Sequence, residues 1–89
     1  RAVLNISVLR KQAENDAVPV HARIEASAIN LTGQRRNIEL REVGESDAIY
    51  YLGEFRVHNL ETYNFTLLVT PDGNSEPYEV KFRQQFYTE

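Results

Sequence analysis

The chain has 89 residues, of which 42% are hydrophobic and 26% charged, and this globular composition predicts a single domain with one core. Its net charge of −3 argues against nucleic-acid binding, which needs a concentrated basic surface. Cysteine is absent, which excludes disulfides, thiol nucleophiles and thiolate metal sites.

The N-terminal third predicts two strands. In residues 2–10 apolar and polar side chains alternate, which indicates a first strand, and the polar residues 11–16 follow it as a loop. Residues 18–30 alternate over a longer stretch and indicate a second strand. The alternative for this alanine-rich stretch is a helix, but the pattern fits a period of two better than 3.6. Gly33 marks the next turn, at a position that requires a positive φ.

Two dense apolar runs in the middle of the chain predict a central β-hairpin. A charged stretch over 35–43 precedes them and is typical of an edge strand. The runs cover residues 48–57 and 62–70, and the mostly polar residues 58–61 join them. The alternation assigns these side chains to the core: Ile49, Tyr51, Gly53, Phe55, Val57, Tyr63, Phe65, Leu67 and Val69.

The other face of this hairpin also carries apolar side chains, which must be covered or exposed. Tyr50, Leu52 and Leu68 stand there among polar residues. Because apolar patches on small domains mark interaction or docking sites, we expect these three residues to form an interaction patch. Gly53 in the middle of a strand predicts the close approach of a bulky aromatic side chain such as Phe65 or Phe82.

The last predicted strand follows a Pro-Asp-Gly turn and covers residues 78–87. We expect a bulge at Gln84 and Gln85 and an exposed Tyr87. The side chains expected to face inward are Tyr78, Val80, Phe82 and Phe86. The six strands together predict an all-β fold, an antiparallel immunoglobulin-like β-sandwich, with a partly open β-barrel as the alternative.

The sequence contains no recognisable catalytic or cofactor motif, so we expect neither an enzyme nor a bound cofactor. His21 and His58 are its two histidines, and a metal site needs three or four converging ligands. The serines lie outside any nucleophile-elbow motif. A small-ligand or glycan-binding module is a second hypothesis, because tyrosine rings can stack on sugar faces. The tyrosines considered for it are Tyr50, Tyr63, Tyr78 and Tyr87.

Four segments together resemble a family of small exported proteins of Gram-negative bacteria that contain a domain of unknown function. The segments are AVLNISVLRK, ASAINLTGQRRNIELREV, ESDAIYYLGEFRV and VTPDGNSEPYEVKFRQQFY, which span essentially the whole chain. The resemblance implies an immunoglobulin-like β domain, a signal peptide in the precursor, and a location in the periplasm or cell envelope. It implies no known activity.

The resemblance also implies that an upstream N-terminal segment, absent from the 89 residues, adds at least one strand. That segment is a candidate for covering Tyr50, Leu52 and Leu68. The sequence therefore favours a non-catalytic envelope module that acts by protein–protein interaction, through this patch or through the exposed edge near residues 35–43. Its contact is either a protein partner or its own N-terminal segment, and no membrane span is expected.

Overall fold

The computed structural model describes residues 2–12, 16–45 and 47–88, which form nine strands and contain no helix. The strands are β1 (Ala2–Ile6), β2 (Leu9–Gln12), β3 (Asp16–Pro19), β4 (Ala22–Asn30), β5 (Arg35–Ile38), β6 (Arg41–Glu45), β7 (Ala48–Phe55), β8 (Thr62–Pro71) and β9 (Tyr78–Gln85).

Every strand pairing is antiparallel. A four-stranded sheet has the order β5-β4-β8-β9, and a three-stranded sheet has the order β1-β7-β6. β2 and β3 form a separate two-stranded hairpin. The all-β prediction is confirmed, and the sheets are open rather than closed into a barrel.

The prediction of six strands is wrong, because three of the predicted strands each divide into two. Residues 2–10 include β1 and the start of β2, residues 18–30 include the end of β3 and all of β4, and residues 35–43 include β5 and the start of β6. β5 and β6 belong to different sheets, so the chain changes layer between them. The predicted loop over 11–16 contains the facing ends of β2 and β3, and its residues 13–15 lie outside the described residues.

The predicted central hairpin is also wrong. β7 pairs with β1 and β6, whereas β8 pairs with β4 and β9. The connection between β7 and β8 therefore crosses from one sheet to the other. Its tight bend includes Leu60, which has a φ of 65°, and a hydrogen bond of 3.1 Å from the Glu61 N–H to the His58 carbonyl.

The core lies between the two larger sheets. The residues predicted to face inward on β8 are buried, as are two alanines of β4: Tyr63, Phe65, Leu67, Val69, Ala26 and Ala28. Phe55 of β7 contacts the rings of Tyr63, Phe65 and Phe86 edge to face, with centroids 5.6–6.1 Å apart. Burying one such side chain contributes about 1.5–3 kcal/mol, so this aromatic cluster stabilises the packing of one layer on the other.

Phe86 packs inward as predicted, but without the predicted bulge. The β8–β9 pairing continues without a break to Thr62 and Gln85. Residues 82, 84 and 86 share one face of a regular strand, since side chains alternate with a period of two. Tyr87 is exposed, as predicted.

Gly53 allows the chain to pass from β5 to β6. A Cβ atom at this position would lie 2.7 Å from Ile38 Cγ2, 2.7 Å from Leu40 Cδ2 and 3.0 Å from the Glu39 carbonyl oxygen. The prediction of a close approach is confirmed, but the neighbour is this crossover rather than Phe65 or Phe82.

Asn30 is a buried polar residue at the end of β4 that organises the adjoining turn. Its Oδ1 atom accepts hydrogen bonds from the Thr32 N–H (3.2 Å) and the Gln34 N–H (2.8 Å). Its Nδ2 atom donates to Glu61 Oε2 at 3.0 Å, and Glu61 Oε1 accepts from the His58 N–H at 3.0 Å. The hydrogen bond from His58, followed by the one from Asn30, lowers the pKa of Glu61. This network joins the β4–β5 turn to the β7–β8 connection.

Candidate functional site

The inner face of β9 is apolar yet exposed. Its three side chains are 61%, 44% and 39% exposed, and they form what we call the β9 strip: Tyr78, Val80 and Phe82. Each pairs across the sheet with a buried residue of β8, respectively Val69, Leu67 and Phe65. The Phe82 and Phe65 rings stack with centroids 4.7 Å apart, so the strip continues the core face of the sheet.

The strip is exposed because a sheet of three strands faces a sheet of four. β5 passes to β6 through Glu39 and Leu40 alone, which places these two strands on the same side of the molecule. The Ala22 N–H of β4 donates to the Tyr51 hydroxyl of β7 at 2.8 Å, so β7 lies against β4. At the other end of β7 the Phe55 ring contacts the rings of Phe65 and Phe86, whereas the β9 strip stays exposed.

The edge of β1 borders the same space. β1 forms one side of the three-stranded sheet and pairs with β7 from Ala2 opposite Phe55 to Ile6 opposite Tyr51. The other edge of β1 pairs with no described strand. Since neighbouring strands lie about 4.8 Å apart, one added strand beside β1 would widen the three-stranded sheet to the four strands of the sheet that it faces. We call the space over the β9 strip, beside β1 and bordered at Tyr78 by Val8 and Leu9, the strand gap.

The sequence-predicted interaction patch does not form one surface. Tyr50 and Leu52 lie on the outer face of β7, while Leu68 lies on the outer face of β8, between Glu25 and Glu79. These two faces belong to different sheets and point away from each other. Tyr50, Leu52 and Leu68 are each half-buried. Whether either face makes a contact stays a prediction, but the three residues cannot act as one patch.

The tyrosines considered for ligand binding are likewise dispersed. Tyr63 is fully buried, and its hydroxyl accepts a hydrogen bond from Arg36 Nε at 2.9 Å. A groove of about 630 Å³ opens on the outer face of the four-stranded sheet. Its described lining, which includes Arg35 and Leu68, contains no tyrosine. A smaller groove of about 360 Å³ contains Tyr78 as its one described tyrosine. These grooves do not provide a paired aromatic platform.

His21, Glu42 and Tyr51 form a titratable cluster in which the side chains of His21 and Glu42 are 59% and 45% exposed. His21 Nδ1 and the Tyr51 hydroxyl each donate to Glu42 Oε1 at 3.0 Å. The hydrogen bond to Glu42 raises the pKa of His21, and the same bond is the main cause that lowers the pKa of Glu42. Burial is the main cause that raises the pKa of Tyr51.

The hydrogen bonds of this cluster link the two larger sheets. Tyr51 also accepts the N–H of Ala22, so the cluster connects β4, β6 and β7. A histidine and a carboxylate can serve as acid and base, but this requires a cleft that holds a substrate within hydrogen-bonding distance. The two grooves described above are lined by other residues.

Within the described ranges, no three His, Cys, Asp or Glu side chains gather in a way that could hold a metal ion. The same ranges contain no helix long and apolar enough to cross a membrane.

Comparison with known proteins shows which family the chain belongs to. Residues 1–89 match the family described as "Domain of unknown function (DUF4426)". The chain belongs to the DUF4426 family. Among curated proteins, none matches this DUF4426 chain significantly.

A crystal structure of a DUF4426 family protein from Pseudomonas aeruginosa PAO1, solved at 2.09 Å, is similar to the present fold. The two chains share 29% sequence identity and superpose with a TM-score of 0.75. The match covers 98% of this chain and 74% of that one, so about a quarter of the Pseudomonas chain lies outside it. The similarity thus extends over nearly the whole DUF4426 fold described here.

Sequence reasoning missed the strand gap. It assigned the β9 strip to the inner face of the DUF4426 domain, which the pairing with β8 supports. Whether an inward face is covered depends on how many strands the opposite sheet contains, and alternation along one strand does not encode that number. The mixed composition of β9, with Glu79, Lys81 and Arg83 between apolar residues, was the available signal of an edge position.

Proposed function

We propose that this DUF4426 chain is a non-catalytic, exported module that acts by protein–protein contact, and that the strand gap is its contact site. The observation that carries the proposal is the β9 strip, whose side chains remain exposed beside buried cross-strand neighbours. An exposed apolar surface next to a free strand edge fits the addition of an extended segment, in which backbone hydrogen bonds provide affinity and alternate side chains provide specificity.

The chemistry of the partner follows from the two walls of the gap. The edge of β1 offers backbone donors and acceptors over Ala2–Ile6, and the β9 strip offers an apolar floor. A fitting partner is therefore an extended segment of another protein with apolar residues at every second position. Its remaining residues face solvent and are polar.

We also propose an immunoglobulin-like arrangement of the sheets and export of the protein. The division into a four-stranded and a three-stranded sheet is compatible with an immunoglobulin-like arrangement in the broad sense. Export to the periplasm or envelope rests on the sequence resemblance. Fractionation of cells that express the natural protein tests it, and recovery from the cytoplasm alone contradicts it.

The contact site is tested with a phage-displayed library of random peptides selected on the folded chain. We expect the enriched peptides to alternate apolar and polar residues. Their affinity for Val80→Glu should fall at least tenfold, because the substitution puts a charge on the apolar floor. Ile29→Glu is the matched control, since Ile29 is 39% exposed, close to the 44% of Val80, but lies on the outer face of β4.

Peptides that bind Val80→Glu and the unchanged chain equally well would contradict the proposal. A second outcome would also overturn it. If the full-length protein does not bind the selected peptides although the 89-residue chain does, a segment of the protein itself occupies the strand gap. Circular dichroism of both variants establishes that they remain folded.

A further inference from the structure

The outer edge of β9 carries a self-complementary sequence, and we propose that it pairs with β9 of a second copy of this chain. β9 ends the four-stranded sheet, and all of its residues from Tyr78 to Gln85 are exposed. Its first five residues read Tyr-Glu-Val-Lys-Phe. Around Val80 this order places an acidic residue opposite a basic one, and an aromatic residue opposite another, when two copies run antiparallel.

The register can be decided by comparing the alternatives. In antiparallel pairing about a two-fold axis, opposite residues share a face, so one residue must lie on the axis. With Lys81 on the axis, two lysines oppose each other, and with Glu79 on the axis, two glutamates do. With Phe82 on the axis, Lys81 opposes Arg83 twice. Val80 on the axis is the register among these four in which no like charges are opposed. Axes at Tyr78 or Gln84 also avoid like charges, but they do not pair Glu79 with Lys81.

In the Val80 register both faces of β9 are complementary. On the outer face, Glu79 of each copy lies opposite Lys81 of the other. The two residues already lie 3.8 Å apart within one chain, and their side chains are 54% and 68% exposed. On the inner face, Tyr78 of each copy lies opposite Phe82 of the other, and cross-strand pairs of aromatic residues are favourable.

A lysine in the middle of an edge strand normally discourages association with other strands. Opposite Glu79 of a second copy, Lys81 instead favours this one antiparallel register over its neighbours. The product is a continuous antiparallel sheet to which each copy contributes four strands. A contact along a single strand is small, so we expect a reversible dimer whose population depends on concentration.

This inference is independent of the proposed function. The dimer uses the hydrogen-bonding edge of β9, whereas a strand in the gap would lie over the inner face of β9 and beside β1. The two contacts share the inner-face side chains of the β9 strip, so changes at Glu79 and Lys81 on the outer face test the dimer separately from the strand gap.

Single cysteines provide the first test, because the 89 residues contain none. Val80→Cys places the two thiols on the axis, where opposite Cβ atoms lie within about 5.5 Å, and mild oxidation should cross-link most of the protein. Phe82→Cys is the control, because the two cysteines of the dimer would then be offset along the strands by four residues, roughly 13 Å. A mixture of Tyr78→Cys and Phe82→Cys should cross-link to each other. Equal cross-linking of Val80→Cys and Phe82→Cys alone would overturn the register.

Charge exchange provides the second test, by sedimentation equilibrium over a range of concentrations. Lys81→Glu should weaken dimerisation at least tenfold, because four carboxylates then meet across the contact. Glu79→Lys combined with Lys81→Glu should restore it. Lys11→Glu, an exposed change of the same charge on β2, should dimerise as the unchanged chain does. A monomeric unchanged chain at millimolar concentration, or a double variant no better than Lys81→Glu, would overturn the proposal.

Discussion

Gly53 shows how one residue permits the change of layer between β5 and β6. A methyl group there would collide with Ile38, Leu40 and the Glu39 carbonyl, at 2.7 to 3.0 Å. We expect Gly53→Ala to lower the free energy of unfolding by about 1–3 kcal/mol, because overpacking forces backbone shifts. Denaturation in urea measures this change.

The matched control for that substitution is Gly44→Ala on β6. A Cβ atom at Gly44 meets no described atom within 4 Å, and the residue has no positive φ. Its replacement should change the stability by no more than about 1 kcal/mol in either direction, since Gly→Ala at a compatible site restricts the unfolded chain. Equal losses from the two substitutions would show that the crossover does not depend on Gly53.

The His21–Glu42 pair gives the fold a dependence on pH. The pKa of His21 is raised above 6.5, so its contribution to stability is complete below pH 6.5 and is lost as pH rises through the folded value. The pKa of Glu42 is lowered below 4.5, so its contribution is complete above pH 4.5 and is lost as pH falls through the folded value. The ion pair therefore stabilises most between about pH 4.5 and 6.5.

We accordingly expect Glu42→Gln to reduce stability more at pH 5.5 than at pH 9. In the same variant the NMR titration midpoint of His21 should fall towards 6.5, because the carboxylate that stabilises the imidazolium is gone. Glu45→Gln, an exposed change on the same strand, is the control for lost negative charge. An unchanged His21 midpoint in Glu42→Gln would contradict the interpretation.

At the scale of strands, the alternation of apolar and polar residues predicts which face of a sheet a side chain occupies, but it does not predict which strands pair. It placed Tyr63, Phe65 and Leu67 in the core, where all three are buried. It joined β7 and β8 into one hairpin, although they lie in different sheets, because two neighbouring apolar runs look alike whether their connection turns within a sheet or crosses between sheets.

The error in pairing carried over to the candidate site. Leu52 and Leu68 were grouped as one patch only because a shared hairpin would have put them on one face. β7 and β8 instead present them on opposite outer faces of the molecule. Conversely, the inward side chains of β9 were identified correctly, but their exposure is a property of two sheets taken together and could not be read from one strand.

At the scale of the whole molecule, four strands facing three leave apolar surface in water, and filling the strand gap should stabilise the fold. We expect a designed strand of eight residues, fused ahead of Arg1 through an Asn-Gly turn, to pair with β1, because such turns connect adjacent antiparallel strands. With valine at its inward positions it would cover Tyr78, Val80 and Phe82. The expected gain in unfolding free energy is about 1–3 kcal/mol, since part of the burial offsets the cost of ordering the added residues.

The control is a fusion of the same length and turn with glutamate at the inward positions, which can form the same backbone hydrogen bonds but brings charge over an apolar floor. Urea denaturation should separate the two fusions. Hydrogen exchange should show slower exchange along Ala2–Ile6 only with valine inward. Equal stability of the two fusions would mean that the added strand does not lie over β9, and the exposed strip would then need another cover.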